Sequence, residues 1–371
     1  MRLHIFNPEH DIALASGLSN FTAPHAGRQL RHDLGFLPAL WAEPGDGILV
    51  DDPDYTQRQW DRASARLLRT LGFKRSSGDE RLFYAASKPI SSCTDVCPWG
   101  WNSALKALLL RRGVDERVLP PDDALITIRD LSHRRTASRL LPVLRDEISR
   151  QRQMSAGGIT AGESFECTSL QELEQLLEHY GQLVLKSPWS SSGRGLRFLS
   201  VGRTPVTMHE RWIHNIIATQ GSVMAEPYYN KVKDLGMEFE VDGEGAVSYL
   251  GLSLFHTENG AYTGNIIATE KTKEQMISRY IPANLLSIVR ENICTLTRPL
   301  FEGRYCGPFG VDMMVVATDD GQLALHPCVE INLRRTMGHV ALTLSPTDDD
   351  IRRVMRIDYS GNKYQLLINR L

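Results

Sequence analysis

Leu183-Val-Leu-Lys-Ser-Pro-Trp-Ser-Ser-Ser-Gly-Arg-Gly-Leu-Arg-Phe-Leu199 is the stretch on which the reading of this chain turns. An apolar, β-rich run ends at Lys186, small residues follow through Gly195, and a second β-rich run starts at Leu196, which predicts strand, loop, strand. Small residues let backbone N–H groups approach an anion closely, and glycine takes φ > 0 at little cost. Lys186, where the loop begins, can set a point charge on phosphate oxygens. The segment reads as a nucleotide phosphate clamp, with a Ser/Gly-rich surface hairpin as the alternative. It is neither of two familiar phosphate loops. In a Walker A loop the lysine follows the glycines and a helix comes next, and a Rossmann fingerprint needs a third glycine and a helix.

A second region supplies acids. Gly307-Pro-Phe-Gly-Val-Asp-Met-Met-Val-Val316 and Leu323-Ala-Leu-His-Pro-Cys-Val-Glu-Ile-Asn332 flank Asp320-Gly321, a hairpin signal. Alternation along a strand puts Glu330 and Asn332 on one face. Register decides whether Asp312 joins them. A two-residue loop at Asp320-Gly321 would set Asp312 opposite Val329. A three-residue loop with Gly321 left-handed would set it opposite Glu330, with Cβ atoms about 5 Å apart. Adjacent carboxylates are costly unless a cation lies between them. An oxygen-only donor set suits Mg²⁺, which is usually held by one or two carboxylates plus substrate phosphates. A solvated acidic hairpin is the other reading, and it fits poorly with acids that interrupt apolar runs.

Taken in order, these blocks resemble the ATP-grasp superfamily over roughly residues 120–340. They are Lys186, Ser190-Ser-Ser-Gly-Arg-Gly195, Val223-Met-Ala-Glu-Pro-Tyr-Tyr229, Gly236-Met-Glu-Phe-Glu-Val241, Asp312 and Glu330-Ile-Asn332. The resemblance implies that Lys186 contacts phosphates and that Ser191, Ser192, Gly193, Arg194 and Gly195 form the flap. It implies that Glu226, Pro227 and Tyr228 meet adenine, that Glu238 meets ribose, and that Asp312, Glu330 and Asn332 hold Mg²⁺ or Mn²⁺. Its basic residue on a helix before the clamp matches Arg135 best, with Arg134 or His133 as alternatives. The Pro-Arg that often follows Glu-x-Asn is here Leu333-Arg334-Arg335, so Arg334 keeps the arginine position. It is a catalytic and substrate-binding candidate, or else a surface arginine. The arginine that many members carry before the magnesium Asp has no counterpart in Gly307–Val311.

The rest of the chain frames this. At 371 residues, two or three subdomains are expected. The implied class is α/β (α+β): a Rossmann-like pre-ATP-grasp domain at 1–120, then an ATP-grasp domain with a central subdomain at 121–225 and a C-terminal one at 226–371. Leu3–Phe6 and Gly47–Val50 read as buried strands, and Asp54–Leu71, Asn102–Arg112, Ser169–His179 and 205–220 as helices. Loops leaving parallel strands often line ligand sites. That nominates His10, Asp11, Trp99 and Trp101 for the second substrate, with helix caps and packed aromatics as the alternative. Tyr262 and Asn265 lie in a polar loop that suits a ligand or an ordinary hairpin.

A net charge of −2 gives no basic field for nucleic acid or a membrane surface. Apolar runs fall short of the roughly 20 residues that span a bilayer. No signal-peptide core follows Met1, and the six scattered cysteines suggest free thiols, so a cytoplasmic protein is expected. The resemblance implies ATP-dependent joining of a carboxylate to an amine through an acyl phosphate. A kinase-like phosphotransferase and a non-catalytic nucleotide-binding regulator are the alternatives, and a homodimer is a common default.

Overall fold

The computed structural model describes residues 1–73, 82–85, 90, 93–151, 160–190, 195–258 and 261–371. The chain divides into two compact units. The first comprises 1–129, 263–273 and 334–371, and the second 130–262 and 274–333.

The first unit is built on a parallel sheet with the spatial order Leu82–Ala85, Gly47–Val50, Arg2–Ile5, Asp95–Pro98. Both faces are buried, as the apolar runs required. Leu3, Ile5, Leu49 and Val96 pack against Leu105 and Leu109 of helix Ser103–Arg111. Phe6, Ile48 and Val50 join a separate cluster around fully buried Trp60. Trp60 belongs to helix Pro53–Leu71, whose ends are written in the sequence. Asp52 accepts from the Tyr55 N–H, Pro53 stands in the first turn, and Gly72 closes the helix at φ 65°. The same cluster takes in Ile267, Met355, Leu366 and Ile368, where the end of strand Ala261–Ile267 pairs with antiparallel Arg353–Ser360 and that with Lys363–Arg370.

The second unit holds two antiparallel sheets. One runs Phe165–Cys167, Val223–Pro227, Gln182–Lys186, Leu196–Ser200. Leu183, Leu185, Val223 and Ala225 pack under Leu173 and Leu177 of helix Leu170–Tyr180 and Ile213 of helix Glu210–Gln220. Ser169 and Glu172 form a capping box at the start of the first of these helices. The other sheet runs Val247–Ser253, Asn230–Val241, Gly307–Ala317, Leu323–Asn332. Phe239 and Phe309 stack at 5.0 Å, and Phe301 of helix Ala283–Phe301 meets Phe309 edge-on at 4.9 Å.

Candidate active site

The two acids stand side by side. Asp312 pairs directly with Glu330 across neighbouring strands, and Gly310 pairs with Asn332. Turn length alone does not give this register. Thr318 N–H donates to the Gln322 carbonyl at 2.9 Å around a loop with Gly321 at φ 79°, and Met314 then pairs with His326. Continued unbroken, that register would set Asp312 opposite Cys328. A bulge between Asp312 and Met314 brings Glu330 into place instead. The bulge takes in Pro327, which has no N–H for the ladder, on the edge strand of the sheet.

Around the pair the sheet surface is low. On its other side Asp312 pairs with Gly236, and Gly310 pairs with Glu238, so two glycines border the carboxylate on the face it shares with Glu330, Asn332 and Glu238. Asn332 Nδ2 donates to Asp312 Oδ2 at 3.1 Å, which turns the amide oxygen away from Asp312. This is a hard-oxygen donor set on one face of the sheet. No group of three His, Cys, Asp or Glu side chains among the described residues could hold a metal by itself. Two carboxylates and an amide completed by phosphate oxygens fit Mg²⁺ or Mn²⁺ better than a soft metal.

Three further charges lie in the same unit. Lys186 ends its strand 8% exposed, and its Nζ donates to Glu226 Oε2 at 2.5 Å. Ser187 N–H donates to the Gly195 carbonyl at 3.0 Å, closing the neck of the flap. A Cβ at Gly195 would come within 2.9 Å of the Ser187 and Ser190 hydroxyls, so the neck admits no side chain there. Ser191, Ser192, Gly193 and Arg194 lie outside the described residues.

Of the three basic candidates, Arg134 reaches this group. It is buried, its Nη1 stands 2.7 Å from Glu330 Oε2, and its Nε donates to the Ser187 carbonyl at 3.1 Å. Arg135 instead pairs with Asp130 and faces Glu166 at 3.5 Å. His133 packs edge-on against Trp189 at 4.7 Å. Pro227 is buried at the end of its strand, while Tyr228 is exposed, its N–H donating to the Gln182 carbonyl and its ring against Phe198. Tyr262 is half-buried, its phenol held well above its usual pKa by burial, and Asn265 is buried opposite Met355 in the first unit.

A second polar group occupies the first unit, at the loops leaving strands Arg2–Ile5 and Asp95–Pro98. Asn7 and Gly100 exchange two hydrogen bonds, of 2.8 and 3.3 Å. Asn102 Nδ2 lies 3.2 Å from Nδ1 of His10, a fully buried ring whose pKa is lowered to about 4, first by desolvation. Arg334 donates to both oxygens of Asp11, at 2.9 and 2.8 Å. Trp99 is buried against Phe6, and half-buried Trp101 packs on the Leu3–Leu109 cluster. Arg334 thus belongs to a different unit from Glu330 and Asn332.

Sequence reasoning passed over two groups. One is the Arg134–Glu330 pair. The other is His326, which strand parity aligns with Glu330 and Asn332. All six cysteines are free, and among the described residues no helix is long and apolar enough to cross a membrane.

No protein-family model matches the sequence, and no curated protein matches it. Solved structures do. N5-carboxyaminoimidazole synthetase from Staphylococcus aureus, complexed with ADP, is 12% identical, covering 97% of this chain and 83% of its own, with a TM-score of 0.51. A biotin carboxylase–beta-gamma-ATP complex from Campylobacter jejuni is also 12% identical, covering 73% of this chain and 61% of its own, with a TM-score of 0.46. The parallel sheet of the first unit, the two antiparallel sheets of the second and the near-complete coverage of the first match agree: this chain has the ATP-grasp fold.

Proposed function

We propose that this protein is an ATP- and Mg²⁺-dependent ligase that joins a carboxylate to an amine. The observation that carries the reading is the direct pairing of Asp312 with Glu330, with Asn332 bonded to Asp312, in the unit that presents Lys186 at the neck of a Gly-rich flap. Asp312, Glu330 and Asn332 would hold the divalent cation, which when bound neutralises charge on the phosphate oxygens. Glu226 fixes the Lys186 ammonium by an ion pair in a buried setting, so the charge is oriented before nucleotide arrives. Glu226 and the backbone at Pro227 and Tyr228 would border adenine, and Glu238 would meet ribose.

The substrate carboxylate would attack the γ-phosphorus, breaking its bond to the ADP oxygen and giving an acyl phosphate. The amine would then attack the acyl carbon, forming the amide and expelling phosphate. Positive charge is needed beside the transferring group, and Gly307–Val311, just before Asp312, holds no basic residue. Arg134, already 2.7 Å from Glu330, is the residue placed to supply it. Arg334 and Asp11, bonded to each other, would hold the loops beside which the second substrate binds, and a homodimer is the assembly we assign.

Nucleotide turnover with pools of carboxylates and amines tests the proposal. A ligase releases ADP and phosphate in equal amounts only when both substrates are present. Transfer of phosphate to a hydroxyl acceptor, with ADP but no free phosphate, would assign a kinase instead. Neither turnover nor Mg²⁺-dependent thermal stabilisation by millimolar ATP would sink the reading.

A further inference from the structure

We propose that the outer face of helix Pro53–Leu71 is a docking surface for an acidic polypeptide segment. This surface belongs to the first unit, and its role is independent of the nucleotide and ligase readings.

Four arginines define it. Arg58, Arg62, Arg66 and Arg69 follow one another at steps of four, four and three residues. At about 100° per residue they fall within an arc of roughly 80°, on the side of the helix away from buried Trp60, Leu67 and Leu71. Arg58, Arg62 and Arg69 are exposed. Half-buried Arg66 donates through Nη1 to the Leu366 carbonyl at 3.0 Å, which ties one edge of the stripe to strand Lys363–Arg370.

Their charge is unmatched. Asp54 and Asp61 stand four and three residues from Arg58, close enough in sequence to pair with it. Among the described residues, no ion pair joins any of the four arginines to an acid, and Asp61 accepts from Gln57 instead. The neighbouring strand repeats the pattern. Arg370 faces Arg353 directly across the antiparallel pair, like charge opposite like, and neither has an acid partner among the described residues. The first unit holds 25 of the 42 Lys and Arg side chains but 21 of the 44 Asp and Glu, so it is the positive part of a chain whose net charge is −2.

Charge spacing selects the partner. The stripe runs for about 16 Å, roughly one guanidinium per 5–6 Å. Acidic side chains recur at about that interval along one side of a helix or a strand, and the guanidinium fork meets a carboxylate with two bonds. Duplex DNA is far denser, with a charge about every 1.7 Å. Single strands are gripped by exposed aromatic rings on which bases stack. Tyr55, the aromatic on this side of the helix, is already stacked on His32 at 4.4 Å and bonded to Asp33.

The test measures binding of a fluorescent oligo-glutamate peptide of about twelve residues, long enough to span the stripe as a helix, and of an oligothymidine strand of matched charge. Wild type is compared with Arg58→Glu/Arg62→Glu/Arg69→Glu and with Arg211→Glu/Arg279→Glu/Arg304→Glu, which makes the same change of charge on exposed arginines of the second unit. Wild type should bind the peptide at low salt. The stripe variant should bind it at least tenfold more weakly, and the second variant should keep its affinity. Equal loss in both variants would trace binding to net charge and overturn the proposal. No peptide binding by wild type, or tighter binding of the oligonucleotide than of the peptide, overturns it too. Light scattering reads the remaining occupant: a dimer that becomes a monomer in the stripe variant alone gives the face to a second copy of the chain and overturns the proposal. If the stripe variant fails to fold, phenylglyoxal modification of wild type, read by mass spectrometry, takes its place. The peptide should protect Arg58, Arg62 and Arg69 and leave Arg211, Arg279 and Arg304 reactive, and any other pattern overturns the proposal.

Discussion

In the second unit Asp312 and Glu330 share one low sheet face, bordered by glycines and steadied by Asn332 and Arg134. In the first unit Asp11 is met by both arms of Arg334, and the histidine beside it is fully buried and bonded to Asn102. Similar residue types make two different objects. The first sets two like charges side by side on regular strands, partly offset by Arg134 on Glu330 and Asn332 on Asp312, an arrangement that a further cation would relieve. The second closes acid on base and amide on backbone, an arrangement that holds loops to strand ends. The first should therefore govern turnover and the second stability.

The sharpest way to break that contrast is Glu330→Gln. The amide still accepts from Arg134, and the charge lost beside Arg134 is offset by relief of repulsion with Asp312, so unliganded melting should change little. Turnover should fall by roughly 10²–10³, the loss typical of removing one preorganised charge. A variant that keeps its activity would remove Asp312–Glu330 from the chemistry. Arg134→Ala comes next and should do both kinds of harm. It strips Glu330 of its partner and the Ser187 carbonyl of a donor, which costs about 1–3 kcal/mol of stability, and it slows turnover. Arg134→Lys restores charge but not the fork that bridges Glu330 and Ser187, so rescue should be partial. Loss of stability with unchanged kcat would make Arg134 a strut rather than a participant.

How much of this could be read beforehand follows from the same contrast. Strand periodicity alone put Glu330 and Asn332 on one face. The cross-strand partner of Asp312 stayed open because it depends on the Gly321 turn and the bulge at Pro327 together, and neither change shows in the alternation of side chains. The capped helix Pro53–Leu71 and the buried strands near Leu3 and Ile48 were plain because cap residues and apolar runs act locally. Arg134 and Arg135 could not be separated: neighbours at a helix start point about 100° apart, and only tertiary packing selects one. Arg334 and Asp11 lie 323 positions apart, so no local rule pairs them.

Asp11→Asn probes the first unit and should give a smaller effect of the other kind. Arg334 would keep one acceptor and lose the charge it faces, lowering stability by about 1–2 kcal/mol by the worth of a charged hydrogen bond. Chemical denaturation of the variant measures this. If stability holds and KM for one substrate rises instead, the cluster faces ligand and the division of labour drawn above fails.

The mildest test is acid titration of stability, and its sign is fixed by His10. Burial keeps this ring neutral in the folded protein down to about pH 4, while in the unfolded chain it takes up a proton near its ordinary value of 6.5. Between these values the unfolded state binds more protons, so stability rises with pH and is lost on acidification. Between pH 7 and pH 6 the loss from this one ring is roughly 0.5–1 kcal/mol, and it grows toward pH 4. His10→Asn removes the titrating group, so the difference between its denaturation free energy and that of wild type should shift with pH by that amount. A difference that moves the opposite way across the range would mean that the ring is protonated in the folded state. Asp11 would then be its counter-ion, and the cluster would carry the same kind of open charge as the sheet face of the second unit.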